Sequence, residues 1–242
     1  MNFRTLLPAS TYDFGISHDD HIFCMGSCFV ENIGQRLIAK KFSTELNPFG
    51  ILYNPISIAK SLHFLLEDYP LQEKYLVEHQ GIWHSFHHHS RFSRTSKAAM
   101  LAAVAESRNR ASQALQQTNR LLLTFGTAFV FEHRALQEVV ANCHKLPATQ
   151  FTRRRLAVAE IVKKLVPVLK QLKSQKPALE VVLTVSPVRH LRDGFVENQR
   201  SKATLILAVD ALCEQLDFVQ YFPAYELLLD DLRDYRFFDK DM

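Results

Sequence analysis

The stretch from His21 to Gly34, His-Ile-Phe-Cys-Met-Gly-Ser-Cys-Phe-Val-Glu-Asn-Ile-Gly, sets the strongest limit on what this chain can become. Ile22 to Met25 is an apolar run of the length of one buried strand. Gly26 breaks it and Ser27 and Cys28 follow at once. Phe29, Ile33, Leu37 and Ile38 then recur at helical spacing. The pattern predicts strand, tight turn and helix, with two side chains in the turn that can act as nucleophiles. A side chain there stands at the carboxyl end of a strand and the amino end of a helix. Free amides and the helix dipole favour an anion or oxyanion at such a point. The nucleophile elbow of α/β hydrolases uses the same device on a different motif. Many α/β proteins carry such a turn with its serine serving only as an N-cap, so the pattern alone leaves both roles open for Ser27.

Further strand signals fall at Ser43–Leu46, Arg120–Gly126, Val181–Val185 and Phe218–Phe222. Helical spacing of apolar residues covers Ile56–Leu66, Ser96–Gln117, Phe151–Leu172 with a break or kink at Pro167, Lys202–Leu216, and a short piece around Tyr225–Leu229. Asn54 or Ser57 stands near the cap of the first of these. Lys74–His79 and Gly81–His87 read as a hairpin over Gln80-Gly81, and Phe129, Val130 and Phe131 carry a β signal past Gly126. Residues 1 to 20 read as an irregular wrap on the sheet edge. Strands alternating with helical crossovers predict an α/β chain, a three-layer αβα sandwich around a central parallel sheet, with a small hairpin insertion near 74–90. Ligand sites in such sheets lie beyond the carboxyl ends of the strands. Ser27-Cys28, the loop Asn47–Asn54, Gly126-Thr127 and Ser186–His190 all follow strands and are predicted to converge there.

The 242 residues fit a single domain, and 47% apolar content supplies a real core. A net charge of +4 is too mild for nucleic-acid binding, which needs a concentrated basic face. The one basic cluster, Arg153-Arg154-Arg155, reads as the solvated opening of a helix. None of the four cysteines, Cys24, Cys28, Cys143 and Cys213, forms a Cys-x-x-Cys pair, which fits a reducing compartment. Arg4, Pro8, Asp13 and His18 interrupt any signal-peptide core, and no apolar run reaches the length of a membrane span. The expectation is a cytoplasmic protein with no nucleic-acid or membrane partner.

Met25-Gly26-Ser27-Cys28-Phe29-Val30 resembles the signature of the GSCFA-domain proteins, with Val30 where alanine is usual. The resemblance continues through Asn47–Pro55, Trp83–Ser90, Asn142–Lys145, Ser186–His190 with Asp193-Gly194, Asn198–Ala203, and Tyr221–Glu226 on to Arg236, nearly the whole chain. GSCFA domains are similar to the SGNH (GDSL-like) hydrolases, which implies their three-layer fold. It also implies a serine nucleophile in Gly-Asp-Ser, an oxyanion pocket from a backbone glycine and an asparagine, and a late Asp-x-x-His. Laid without gaps, Gly26-Ser27-Cys28 puts Cys28 at the nucleophile position; a shift of one residue restores Ser27. Gly50 matches the oxyanion glycine. Gly126-Thr127-Ala128-Phe129 lacks the asparagine expected after its strand, which leaves Asn142 as the substitute. Asp241 matches the triad acid, and its histidine would lie two residues past Met242, so the chain reads as a truncated member.

Acyl transfer needs a nucleophile, a base and oxyanion donors. The resemblance therefore implies a hydrolase or acyltransferase acting on an ester bond. Ser27, Cys28 and Asp241 would be catalytic, Gly50 and Asn142 would bind the oxyanion, and the substrate would be a small-molecule or glycan acyl ester, with no cofactor. His84, His87, His88 and His89 form the most unusual local composition. No zinc-ligand spacing is present among them, and they read first as hydrogen-bonded residues beside the pocket; a metal site completed by His144, His190 or an acid, and a general-base role for one of them, are the alternatives. His87, His88, His144, Arg189 and His190 are the candidate substrate-binding residues; Arg189 suits a carboxylate or phosphate. The missing histidine and asparagine favour an alternative, a catalytically inactive module on the same fold that binds a glycan or small polar ligand.

Overall fold

The computed structural model describes residues 7–8, 11–67 and 71–232. Five strands form one parallel sheet: β1 (His21–Gly26), β2 (Ser43–Leu46), β5 (Arg120–Phe125), β9 (Glu180–Val185) and β10 (Val219–Tyr221). Across the sheet they run β2-β1-β5-β9-β10. Taken in chain order that is the flavodoxin-like 2-1-3-4-5 arrangement, whose direction of winding reverses between β1 and β5. Helix α1 (Cys28–Ala39) joins β1 to β2; α2 (Pro55–Leu66) and α3 (Lys97–Gln117) lead to β5. Helix α4 (Val158–Gln175) leads to β9 and α5 (Gly194–Gln215) to β10.

Alternation along the strands distributes the layers. Phe23 and Met25 of β1, Leu121 and Leu123 of β5, and Val181 and Leu183 of β9 share a core with apolar residues of α2, α3, α4 and α5. Ile22 and Cys24 face the other way and pack with Val30 and Leu37 of α1. Right-handed crossovers require this split, because only the β1–β2 connection runs against the others. The irregular residues before β1 reach the far edge, where the Tyr12 hydroxyl donates to Tyr221 O at 3.1 Å. Among the described residues no helix is long and apolar enough to cross a membrane.

The expected hairpin is β3 (Leu76–His79) against β4 (Ile82–Ser85), turning at Gln80 and Gly81 with φ of 53° and 76°. A second antiparallel sheet, β7-β6-β8, is added by β6 (Phe129–His133), β7 (Glu138–Val140) and β8 (Phe151–Arg155). This corrects the reading of 151–155 as helix. Phe151 is buried against Phe86 and Phe131. Arg153 pairs with Asp193, Arg154 with Glu132 and Glu160, and Arg155 with Glu197. The basic triplet is thus neutralised across a strand rather than solvated on a helix. Helix α4 starts only at Val158 and continues through Pro167, with Leu165, Val168 and Leu169 buried on either side of it. Helix α5 begins at Gly194, ahead of the expected start at Lys202, so Asn198, Ser201 and Lys202 all lie inside it.

Candidate functional site

The four segments that follow strands meet at the carboxyl edge of the sheet, around the β1/β5 switch point. Gly26 makes the turn possible. Its φ is +140°, and a Cβ there would stand 2.2 Å from the carbonyl oxygen of Thr124 in the adjacent strand. Only glycine lets β1 and β5 run this close up to the turn. Asn47 holds the turn from the next loop: its Oδ1 accepts from Gly26 N at 2.8 Å, and its Nδ2 donates to Glu31 on α1 at 2.6 Å. Leu52 N donates to Gly26 O at 2.9 Å and Ser27 N to Thr124 O at 3.2 Å. Arg91 donates to the Asn47 carbonyl, fixing that loop in turn.

The two candidate nucleophiles part ways at this point. Ser27 is fully buried and caps α1, its Oγ accepting from Phe29 N at 3.3 Å. Cys28 is the first residue of α1 and is partly exposed. Its own amide, at the first helical position, has no intrahelical acceptor. Cys24, four residues earlier in β1, is buried against α1, and burial pushes its thiol up to about 12.

Gly126, the residue after β5, is the centre of the remaining contacts. Its N–H donates to Tyr53 O at 2.8 Å. The position of a Cβ on it lies 3.2 Å from Ser27 Cβ, 3.2 Å from Tyr53 Cδ1 and 3.3 Å from His190 Nε2. Three loops therefore close on one small residue. The His190 ring stands edge-on to Tyr53 with centroids 5.4 Å apart. Its backbone N–H is held by Asn198 Oδ1 at 2.9 Å. His190 Nε2 is buried and has no hydrogen-bond partner among the described residues. Burial, and then the charge of Lys202, hold this imidazole below its usual pKa, so it is a neutral base at physiological pH. Burial and the neighbouring Cys28 raise the Tyr53 phenol.

Lys202 enters beneath Gly126. It is 1% exposed, and its Nζ donates to Gly126 O at 2.7 Å and to Ser186 O at 2.6 Å. Ser201, its neighbour, reaches Ala128 N at 2.8 Å. Neither residue was expected in the site, although their positions in α5 offered a signal. Lys202 shares a helical stripe with Asn198, Leu205, Val209 and Leu212, all buried, and a lysine on an apolar stripe is an anomaly.

The other candidates are placed as follows. Gly50 has φ +79°, and a Cβ on it would lie 2.2 Å from His89 Cβ; its N–H donates to Asn47 O at 2.7 Å. Its conformation is set by that packing, and its amide is spent inside the loop. Asn142 accepts from His144 N at 2.8 Å within the loop after β7. His144 stacks on His84 with centroids 4.5 Å apart and bonds Ser85 O at 2.8 Å. His88 bonds Ser85 Oγ at 2.8 Å and stacks on Phe49. His87 meets Phe64 and Tyr75 edge-on, and its Nε2 has no partner among the described residues. His87, His88 and His144 are thus buried, and stacked or hydrogen-bonded, behind the Asn47–Asn54 loop. No group of three or more His, Cys, Asp or Glu among the described residues is arranged to hold a metal ion. Arg189 is exposed and lines a cavity of about 520 Å³ with Phe195, Asn198, Gln199, Tyr225 and Asp230. Asp241 and the acidic-aromatic tail around it lie outside the described residues.

A family model described as "GSCFA family" matches residues 21–242. No curated protein and no solved structure matches the chain. With the match running from the first residue of β1 through every strand-end segment described above, and with an SGNH-like α/β fold beneath it, the chain belongs to the GSCFA family.

Proposed function

We propose that this protein is a hydrolase or acyltransferase acting on an ester bond, with Cys28 as nucleophile and His190 as its base. Two observations support the reading: a partly exposed thiol at the start of α1, and a buried imidazole nitrogen, without a hydrogen-bond partner among the described residues, that meets Gly126 opposite Ser27, the residue before Cys28. Ser27 is the weaker candidate, because it is sealed and its oxygen is occupied as the cap. In this reading His190 Nε2 takes the proton from Cys28 Sγ, and the thiolate attacks the acyl carbonyl. The tetrahedral oxyanion is met by the Cys28 amide at the positive end of α1. Collapse returns the proton from His190 to the departing alcohol and leaves a thioester. Water or a second alcohol, deprotonated by His190, then releases the acyl group. The neighbouring cavity of about 520 Å³ is of a size to hold a small-molecule or sugar ester.

The engagement of Gly50 and Asn142 in local hydrogen bonds favours a second reading, a ligand-binding module that has no oxyanion pocket of the SGNH kind. A panel of aryl and sugar acetates separates the two. On the first reading Cys28→Ala abolishes turnover, Ser27→Ala retains part of it, and His190→Ala lowers kcat by about 10²–10⁴. Full turnover in Cys28→Ala overturns the thiol mechanism. No turnover in the wild-type protein, together with saturable binding of the same esters, supports the binding module.

A further inference from the structure

The cavity of about 520 Å³ lined by Arg189 and Asn198 carries hydrogen-bond donors that the ester chemistry above does not use. Asn198 and Gln199 follow one another in α5, and each spends its carboxamide oxygen inside the protein. Asn198 Oδ1 accepts from His190 N at 2.9 Å, and Gln199 Oε1 accepts from the Tyr225 hydroxyl at 2.6 Å. An amide oxygen held by a donor leaves the NH₂ end of the same group free to donate. Asn198 is only 4% exposed. Its side chain bonds through Oδ1 alone, so Nδ2 has no partner among the described residues. Arg189 is exposed, lines the same cavity and is in no ion pair among the described residues. Asp230 is the one carboxylate of the lining, so the two formal charges cancel. Phe195, 65% exposed, and the Tyr225 ring add aromatic surface.

We propose that this cavity binds an acidic sugar, a hexuronate, with its carboxylate on Arg189, its other oxygens on the Asn198 and Gln199 amides, and its hydroxyls donating to Asp230. Three donor groups against one acceptor group suit a ligand rich in acceptors. A planar carboxylate matches the guanidinium fork with two parallel bonds. Sugar hydroxyls give Asp230 protons to accept, whereas a carboxylate on a bare hydrocarbon leaves that charge unmatched. A dianionic phosphate brings two negative charges to a cavity whose single cation is already balanced by Asp230. Phe195 offers the apolar face of the sugar ring a surface. Asn198 joins this subsite to the proposed base, because the amide that donates to the ligand holds the His190 backbone with its other end. The sugar is thereby the alcohol part of the ester. That last placement rests on the hydrolase reading, and binding of the acid does not.

The test is an NMR titration of the isotope-labelled full chain, read on the side-chain NH₂ signals of Asn198 and Gln199. Glucuronate is expected to shift both signals saturably. Glucose lacks the carboxylate and cyclohexanecarboxylate lacks the hydroxyls, and each is expected to bind about tenfold more weakly or worse. Arg189→Gln changes an exposed side chain. It is expected to weaken glucuronate about tenfold or more and to leave glucose unchanged, and Arg189→Lys to recover part of the loss. Asp230→Ala is expected to remove the advantage of glucuronate over cyclohexanecarboxylate. No saturable shift with glucuronate, or equal binding of glucuronate and glucose, overturns the proposal. A glucose phosphate that binds more tightly than glucuronate overturns the carboxylate assignment. The acetate panel keeps the two readings apart. Turnover that glucuronate does not inhibit leaves the hydrolase standing and overturns the sugar's placement. Saturable glucuronate binding without turnover leaves this site standing and removes only the enzymatic reading.

Discussion

Acid should unfold this protein well before its carboxylates are protonated, because of the histidines packed behind the Asn47–Asn54 loop. Desolvation by burial is the first cause of a low pKa in each: His87 and His88 are pushed to about 3 and His144 to about 4. Repulsion among the rings and from Lys60 and Arg91 adds to it, and Glu138 opposes it at His87. In the unfolded chain each would titrate near 6.5. A folded-state pKa below the unfolded one means that the unfolded chain takes up protons first as pH falls. The stability contribution is therefore complete above about pH 6.5 and is lost progressively towards the folded values. Each group costs about 1.4 kcal/mol per pH unit inside that window, so three together give a slope of about 4 kcal/mol per unit. By about pH 5 the loss reaches about 6 kcal/mol, which is comparable to the whole stability of an ordinary domain, about 5–15 kcal/mol. Urea unfolding followed by far-UV circular dichroism and by Trp83 fluorescence, beside the cluster in β4, measures it. Glu138, held down to about 2 by Lys60 and Tyr75 against the effect of burial, changes stability only below about pH 4.3 and does not confuse a slope read between about pH 6 and pH 5. His88→Gln can still bond Ser85 Oγ and should flatten the slope by about one proton, about 1.4 kcal/mol per unit. A wild-type slope between about pH 6 and pH 5 of one proton or less refutes burial of neutral histidines as the cause.

Two further outcomes follow from the turn. Gly26→Ala combines a φ of +140° with a Cβ 2.2 Å from a backbone carbonyl, and should cost about 2–6 kcal/mol in urea unfolding. Gly81→Ala, with φ +76° and nothing within 4 Å of the new methyl, should cost only about 1–2 kcal/mol; equal losses would show that the strand contact is not what demands glycine. Gly126→Ala places a methyl 3.2–3.3 Å from Ser27, Tyr53 and His190. We expect it to cost about 1–3 kcal/mol while displacing His190 and cutting ester turnover by about tenfold or more. Unchanged kcat/KM in that variant would remove His190 from the mechanism.

Local chemistry wrote much of this fold into the sequence. The apolar run of β1 ending at Gly26, the helical spacing after Cys28, and Asn54 and Ser96 as caps of α2 and α3 each act within a few residues of their own position. Short buried strands alternating with helices were enough to imply a parallel sheet and the convergence of its strand-end loops. The misread elements are those whose partners are remote. The triplet Arg153–Arg155 is a strand because β6 pairs with it and because Asp193, Glu132, Glu160 and Glu197 neutralise it from elsewhere. Gly50 offered its resemblance, but only the fold shows His89 against it and its amide bonded to Asn47.

The sequence by itself determined the turn, its two candidate nucleophiles and the sheet that presents them, since a strand period, a glycine break and a helix period are local properties of the chain. Tertiary structure decided which of the two is sealed, that His190 meets Gly126 opposite Ser27, and that Lys202 ties Gly126 to Ser186. Burial and hydrogen-bond partners depend on what arrives from far along the chain: Lys202 meets a carbonyl 76 residues away, and Asn47 holds a turn 21 residues back. No periodicity records such meetings, because they exist only once the sheet has brought its strand ends together.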